Sequence, residues 1–246
     1  MTILQEIFDF KRSELDSLKA SRPLAEVVAA AQDAGPTRGF MRALVTSAHS
    51  VSLIAEVKKA SPVKGTLRAD FHPVAIAQAY ERAGADCLSV LTDVPYFQGS
   101  PDFLVQCREA TSLPVLRKDF TTDAYHVYEA RALGADAVLL IVNGLSQVQL
   151  REYRELAESL GMDVLVEAHT LAEAETAMES GAKLLGVNNR DLETFETNIE
   201  ATEEIAPLVA GRATVVSESA LRTSGDVARV SQAGARSVLI GSAFSL

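Results

Sequence analysis

The sequence predicts an α/β fold, a closed (β/α)8 TIM barrel with an N-terminal helical extension, and three observations carry that prediction. A short phrase recurs: Ala83-Gly84-Ala85-Asp86, Leu133-Gly134-Ala135-Asp136, Ser180-Gly181-Ala182-Lys183 and Ala233-Gly234-Ala235-Arg236. Its glycines fall at intervals of about 50 residues, the spacing of a structural repeat. A helical pattern precedes each glycine and an apolar run follows it, so each phrase reads as helix, left-handed glycine stop, strand. Finally, an interval of about 50 residues is too long for one strand and one helix, so a second strand belongs inside each.

Taken in chain order, residues 1–50 come first. Leu4, Ile7, Phe8 and Phe10 alternate with Lys11, Arg12 and Asp16 in a helical rhythm, which predicts one or two extra helices that cap the barrel floor or frame its mouth. Residues 52–57 open the strand series, a helix follows over 73–82, and Gly84 releases the chain into a strand near residue 89. The same alternation predicts strands at 113–116 and near 139, with a helix over 124–133 between them, then at 163–167, near 186, at 213–216 and near 239. Eight short apolar strands separated by helices suit a parallel sheet covered on both sides, and eight repeats in one chain suit closure into a barrel. No linker rich in Pro, Gly or Ser interrupts them, so residues 1–246 are read as one domain.

Composition agrees. The chain has 246 residues, 48% apolar and 23% charged, with a formal net charge of −10. At this length a core can bury roughly 70 to 75% of the unfolded surface without disulfides or a structural metal. The acidic balance argues against a nucleic-acid partner, which calls for surplus Lys and Arg to displace counterions from phosphates. No apolar run approaches the roughly 20 residues of a membrane span, so no membrane is expected. Cys87 and Cys107 form neither a CxxC pair nor a zinc set, and a reducing cytoplasm fits them.

In barrel enzymes the reacting groups hang from the C-terminal ends of the strands. Strand one runs Ser52-Leu53-Ile54-Ala55-Glu56-Val57-Lys58-Lys59, and its period of two puts Ile54, Glu56 and Lys58 on one face. That pair reads as chemistry or as a structural ion pair beside a solvated Lys59. Strand three ends in Leu116-Arg117-Lys118-Asp119-Phe120, where desolvation and neighbouring cations are expected to lower the proton affinity of Lys118 and make it a proton donor near neutrality. Glu167 closes the apolar run of strand five as a candidate acid or base, or as a carboxylate that neutralises a lysine; His169 shares its face. Asn188 and Arg190 follow strand six, as site residues or as turn chemistry. Strands seven and eight run into Ser217-Glu218-Ser219-Ala220 and Gly241-Ser242-Ala243, small residues whose open backbone N–H groups, with a short helix N-terminus, suit a phosphate. His49, His72, His126 and His169 have no metal-ligand spacing, and no metal is expected. Phe97 and Phe120, after strands two and three, line a flat apolar pocket or belong to the core.

These phrases together, with Ala60-Ser61-Pro62, Leu91-Thr92-Asp93, Phe97-Gln98-Gly99-Ser100 and Gly186-Val187-Asn188-Asn189-Arg190-Asp191-Leu192, resemble the indole-3-glycerol phosphate synthases of tryptophan biosynthesis. The resemblance covers nearly the whole chain. It implies conversion of 1-(2-carboxyphenylamino)-1-deoxyribulose 5-phosphate to indole-3-glycerol phosphate, CO2 and water, with no cofactor; separately from the resemblance, a monomer is the expected state. It implies Lys118 as general acid, Lys58 as partner of the substrate carboxylate, Glu167 as acid/base of ring closure and dehydration, and Glu56 and Asn188 as orienting groups. Arg190, Ser219, Phe97, Phe120 and Leu139 match substrate-facing positions, and Ser61, Ala220, Gly241 and Ser242 match the phosphate end, as Ser219 also does. Ala220 stands where the family usually has Gly; at positive φ it would cost on the order of 1 kcal/mol and weaken phosphate binding. The chain ends at Leu246, where relatives continue through a last helix, which leaves either a trimmed chain or a barrel imperfectly closed beside strand one.

Two other readings compete. A sugar-phosphate isomerase or Schiff-base aldolase would also use lysines at strand ends, but leaves Glu56, Lys58, Lys118 and Glu167 unexplained as a set. A non-catalytic phosphate-binding barrel would account for Ala220 and the short C-terminus.

Overall fold

The computed structural model describes residues 2–63, 65–190 and 197–241. Eight parallel strands form a closed barrel: β1 (Ser52–Val57), β2 (Cys87–Leu91), β3 (Val115–Lys118), β4 (Ala137–Ile141), β5 (Asp163–Ala168), β6 (Leu184–Asn188), β7 (Thr214–Glu218) and β8 (Ser237–Ile240). Each expected strand is present. The third and seventh reach two residues further than the apolar runs suggest, because their last positions, Arg117-Lys118 and Ser217-Glu218, are polar groups that the barrel buries or half-buries. β8 pairs with β1 from Ser52↔Ser237 to Ala55↔Ile240, so the ring closes and no gap opens beside β1.

The helices are α1 (Ile3–Ser21), α2 (Leu24–Asp33), α3 (Phe40–Val45), α4 (Pro73–Arg82), α5 (Pro101–Ala110), α6 (Ala124–Ala132), α7 (Gln147–Ser159), α8 (Leu171–Glu179), α9 (Glu200–Leu208) and α10 (Ser224–Ala233). Gly84, Gly134, Gly181 and Gly234 all take positive φ, 87°, 88°, 87° and 116°, so the repeated phrase is a helix stop. A side chain there would meet the steric penalty of the left-handed region, and the glycine turns the chain back into the next strand.

Alternation along each strand separates two apolar layers. Ile54, Leu116, Leu139, Leu165, Leu184, Val216 and Leu239 fill the barrel interior, while Ala55, Val57, Leu88, Val90, Val138, Leu140 and Val187 face the helices. The N-terminal extension plugs both ends of the inner layer. Leu4 and Phe8 of α1 join it at the mouth, where a Cβ on Gly144 would overlap the Phe8 ring. α2 packs against α6 on the outside, and α3 brings Phe40 and Leu44 under the floor, with Cys87 Sγ 3.6 Å from the Phe40 carbonyl. The extension therefore has three helices where one or two were expected, and it both frames the mouth and caps the floor. Among the described residues no helix is long and apolar enough to cross a membrane.

Candidate active site

The mouth opens into a cavity of about 180 Å3 whose wall includes Glu56, Lys58, Lys118, Glu167, Asn188, Arg190 and Glu218. Period two in β1 explains the first pair: Ile54 stays in the core layer while Glu56 and Lys58 rise into the cavity and pair with each other. On the opposite side Lys118 Nζ donates to Glu167 Oε2 at 2.8 Å and to Glu218 Oε2 at 2.7 Å. Asn188 Nδ2 donates to Glu167 Oε1 at 3.1 Å, and Asn188 Oδ1 accepts from the Arg190 backbone N–H at 3.2 Å. Glycines leave room for the carboxylates: a Cβ at Gly186 would overlap Glu218 Oε1, and one at Gly241 would sit 2.5 Å from Glu56 Oε1.

Burial and charge decide the protonation states. Burial alone would lower the pKa of Lys118, but the carboxylates of Glu167, Glu218 and Glu56 outweigh it and hold the ammonium well above its ordinary range. The expectation of a lowered lysine pKa is therefore corrected: the groups around Lys118 are anions rather than cations. Burial pushes Glu167 up, yet Lys118, His169 and the hydrogen bonds from Lys118 and Asn188 bring it down to about 2. For Glu218 burial prevails over Lys118, with Glu167 and Glu56 adding repulsion, and its carboxyl is pushed up to about 7. Two carboxylates on one ammonium are thereby driven apart in acidity, the arrangement that separates an acid from a base.

The apolar side of the cavity is formed by Phe97, Phe120 and Leu139 with Ile3, Leu4 and Ile7 of α1. The Phe97 and Phe120 rings lie 6.0 Å apart, and Phe8 meets Phe120 edge-on at 5.9 Å. Ser61, Ser219 and Gly241 line the rim. Ala220 does not: its side chain packs against the outer core layer, although Ser219 and Ala220 both hold positive φ, 64° and 63°. The carry-over of Ala220 as a phosphate contact thus keeps only its backbone. The N-terminus of α10 is closed by its own Thr223 and Asp226, whose side chains take up the local N–H groups. Ser242, and with it the expected short helix N-terminus, lies outside the described residues.

Glu218 is the site residue that sequence reasoning passed over. The signal was available, since Val216 is a core position and period two sends Glu218 the same way, two residues above it. His169, which the sequence places on the face of Glu167 without giving it a role, also belongs to the site. Its side chain is 8% exposed, with Nε2 3.5 Å from Glu167 Oε1.

A closed parallel barrel with a protonated lysine clamped by carboxylates of unequal acidity at its C-terminal mouth is an enzyme built for proton transfer beside an apolar ring-binding wall. Comparisons with known proteins narrow that class. The indole-3-glycerol phosphate synthase family profile matches residues 4–245. The indole-3-glycerol phosphate synthase of Rhodospirillum rubrum is 49% identical over 245 residues, covering 98% of this chain and 93% of the relative. That of Chlorobium luteolum is 48% identical over 241 residues, covering 98% and 92%. An N-acetylmannosamine-6-phosphate 2-epimerase from Clostridium perfringens shares the fold, with a TM-score of 0.60 at 16% identity over 78% of this chain and 86% of that one. The chain belongs to the indole-3-glycerol phosphate synthase family, and its class is that of decarboxylating carbon–carbon lyases.

Proposed function

We propose that the chain closes the indole ring of 1-(2-carboxyphenylamino)-1-deoxyribulose 5-phosphate, releasing CO2 and water to give indole-3-glycerol phosphate, with Lys118 as the general acid. The observation that carries this reading is the Lys118 ammonium held between Glu167 and Glu218 on the floor of a cavity with an aromatic wall. As the aryl carbon bonds to the carbonyl carbon, the carbonyl oxygen gains negative charge and takes a proton from Lys118. The carboxylate beside the new bond leaves as CO2, its electron pair restoring the aromatic ring. The closed ring then loses its new hydroxyl as water: Glu167 takes the proton from the ring carbon beside the nitrogen, a carbon–carbon double bond forms as the C–O bond breaks, and the proton taken balances the one with which the hydroxyl leaves, giving the indole. Lys58 pairs with the substrate carboxylate and Glu56 holds that lysine, while Asn188 fixes Glu167. Arg190, Phe97, Phe120 and Leu139 position the substrate, and Ser61, Ser219, Gly241, Ser242 and the Ala220 backbone hold the phosphate end. The whole chain acts as one domain, as a monomer in the cytoplasm.

A protonated Lys118 disfavours the Schiff-base alternative, which requires a free amine. Turnover followed by indole fluorescence with EDTA present tests the assignment: the parent should produce signal and Lys118→Ala should lose about 10³-fold in kcat. A folded parent without signal, or a Lys118→Ala variant within tenfold of it, overturns the reading.

A further inference from the structure

We propose that His169, held by Glu173, is a positioning residue that orients Glu167 and couples its charge to solvent. This rests on the assignment of Glu167 as acid/base. The geometry is a three-member line running outward from the cavity. Glu167 Oε1, on β5, faces His169 Nε2 at 3.5 Å, and His169 Nδ1 lies 3.3 Å from Glu173 Oε2 at the start of α8. The same Glu173 oxygen accepts the His169 backbone N–H at 2.7 Å, so one carboxylate fixes both the ring and the chain that carries it. Nε2 is buried and has no hydrogen-bond partner among the described residues, which leaves the Glu167 carboxylate as its neighbour. Glu173 is 19% exposed on its side chain and gives the line an outlet to water.

Three carboxylates act on the ring: Glu167 from β5, Glu173 from α8 and Glu218 from β7. Burial works against the charged ring, but these anions prevail and raise its proton affinity. An imidazolium can point N–H groups at both Glu167 and Glu173, whereas a neutral ring must turn a lone pair toward one of them. Glu167 is then held by hydrogen bonds from Lys118 and Asn188 and faced at 3.5 Å by the charge of the His169 ring, and its basicity changes when His169 loses its proton.

The test uses the full chain. Ring NMR signals identify His169 by their loss in His169→Gln, and kcat and KM are measured against pH for the parent, His169→Gln and Glu173→Gln. The His169 midpoint should lie above the ordinary histidine value and fall by about one pH unit in Glu173→Gln. An inflection in kcat should follow that midpoint and vanish in His169→Gln, whose kcat should drop on the order of tenfold while KM stays within twofold. An inflection that stays in place in Glu173→Gln, or His169→Gln turnover within twofold of the parent, overturns the proposal; the first arm holds even if the second variant folds poorly. Full turnover in Glu167→Gln with the His169 midpoint still displaced would instead remove Glu167 from the mechanism, and the proposal with it.

Discussion

At the floor of the barrel Asp136 is fully buried, and its carboxylate accepts from the backbone N–H groups of Arg38 and Val115 and from the Arg108 guanidinium, at 2.7 to 2.9 Å. At the mouth Glu218 is almost as deep, at 2% exposure, yet one of its oxygens has no hydrogen-bond partner among the described residues and the other shares Lys118 with Glu167. Both are buried ion pairs in the same barrel. The floor completes its hydrogen bonds within the scaffold and so ties the loop before α3 to the sheet. The mouth leaves charge unbalanced, which destabilises the fold locally and moves the proton affinity of Glu218 toward the range where chemistry is done while driving Lys118 and Glu167 away from it. Buried charge by itself therefore says little about role; how fully its bonds are made separates structure from function.

The sharpest way to break this contrast is Asp136→Ala. It strands the Arg108 guanidinium and two amides, and urea unfolding should show a loss of about 3 kcal/mol or more, while turnover per folded molecule stays within twofold. A fall in turnover as large as the fall in stability would erase the distinction between the ends.

Glu218→Gln should act in the opposite sense. A carboxyl whose folded-state pKa is raised from 4.5 to about 7 binds its proton more tightly when folded, so its contribution to stability declines as pH rises between those values and stays low above them. Glu167, shifted down, titrates below that window and does not offset it. Glu218→Gln should thus unfold at pH 8 with a stability higher by on the order of 1 kcal/mol, a gain that disappears near pH 4, while kcat falls about 10²-fold. Equal stability of the two proteins at pH 8 would mean that the mouth carries no such strain.

The smallest effect expected is that of Ala220→Gly. Ala220 at φ 63° occupies the left-handed region, and glycine should relieve up to about 1 kcal/mol of that strain, partly offset by the entropy of a more flexible unfolded chain. A small rise in Tm and a lower KM for the phosphorylated substrate check it; an unchanged Tm would show that the loop accommodates alanine without strain.

Most of the architecture was legible in the chain because its signals are local. Gly84, Gly134, Gly181 and Gly234 mark helix stops because glycine enters the left-handed conformation without the penalty a side chain would meet, and Ile54, Glu56 and Lys58 share a face by period two alone. The N-terminal extension was harder to place: Leu4 and Phe8 at the mouth and Phe40 and Leu44 at the floor carry the same apolar signal, and only the path of α2 along α6 assigns them to opposite ends. In the site, Lys118 and Glu167 stood out as charges ending apolar runs, whereas Glu218 was hidden inside a serine-rich phrase that reads as a phosphate loop.

What the sequence determined by itself was the order of strands and helices and which side chains stand at strand ends, since both follow from propensities and periods within a few residues. The tertiary structure alone decided the charge state of those side chains. Lys118 and Glu218 are 100 residues apart in the chain and 2.7 Å apart in space, and Coulomb energy depends on that second distance and on the exclusion of water around it. A lysine expected to lose its proton easily therefore keeps it, because closing the barrel brings carboxylates from β1, β5 and β7 around one ammonium.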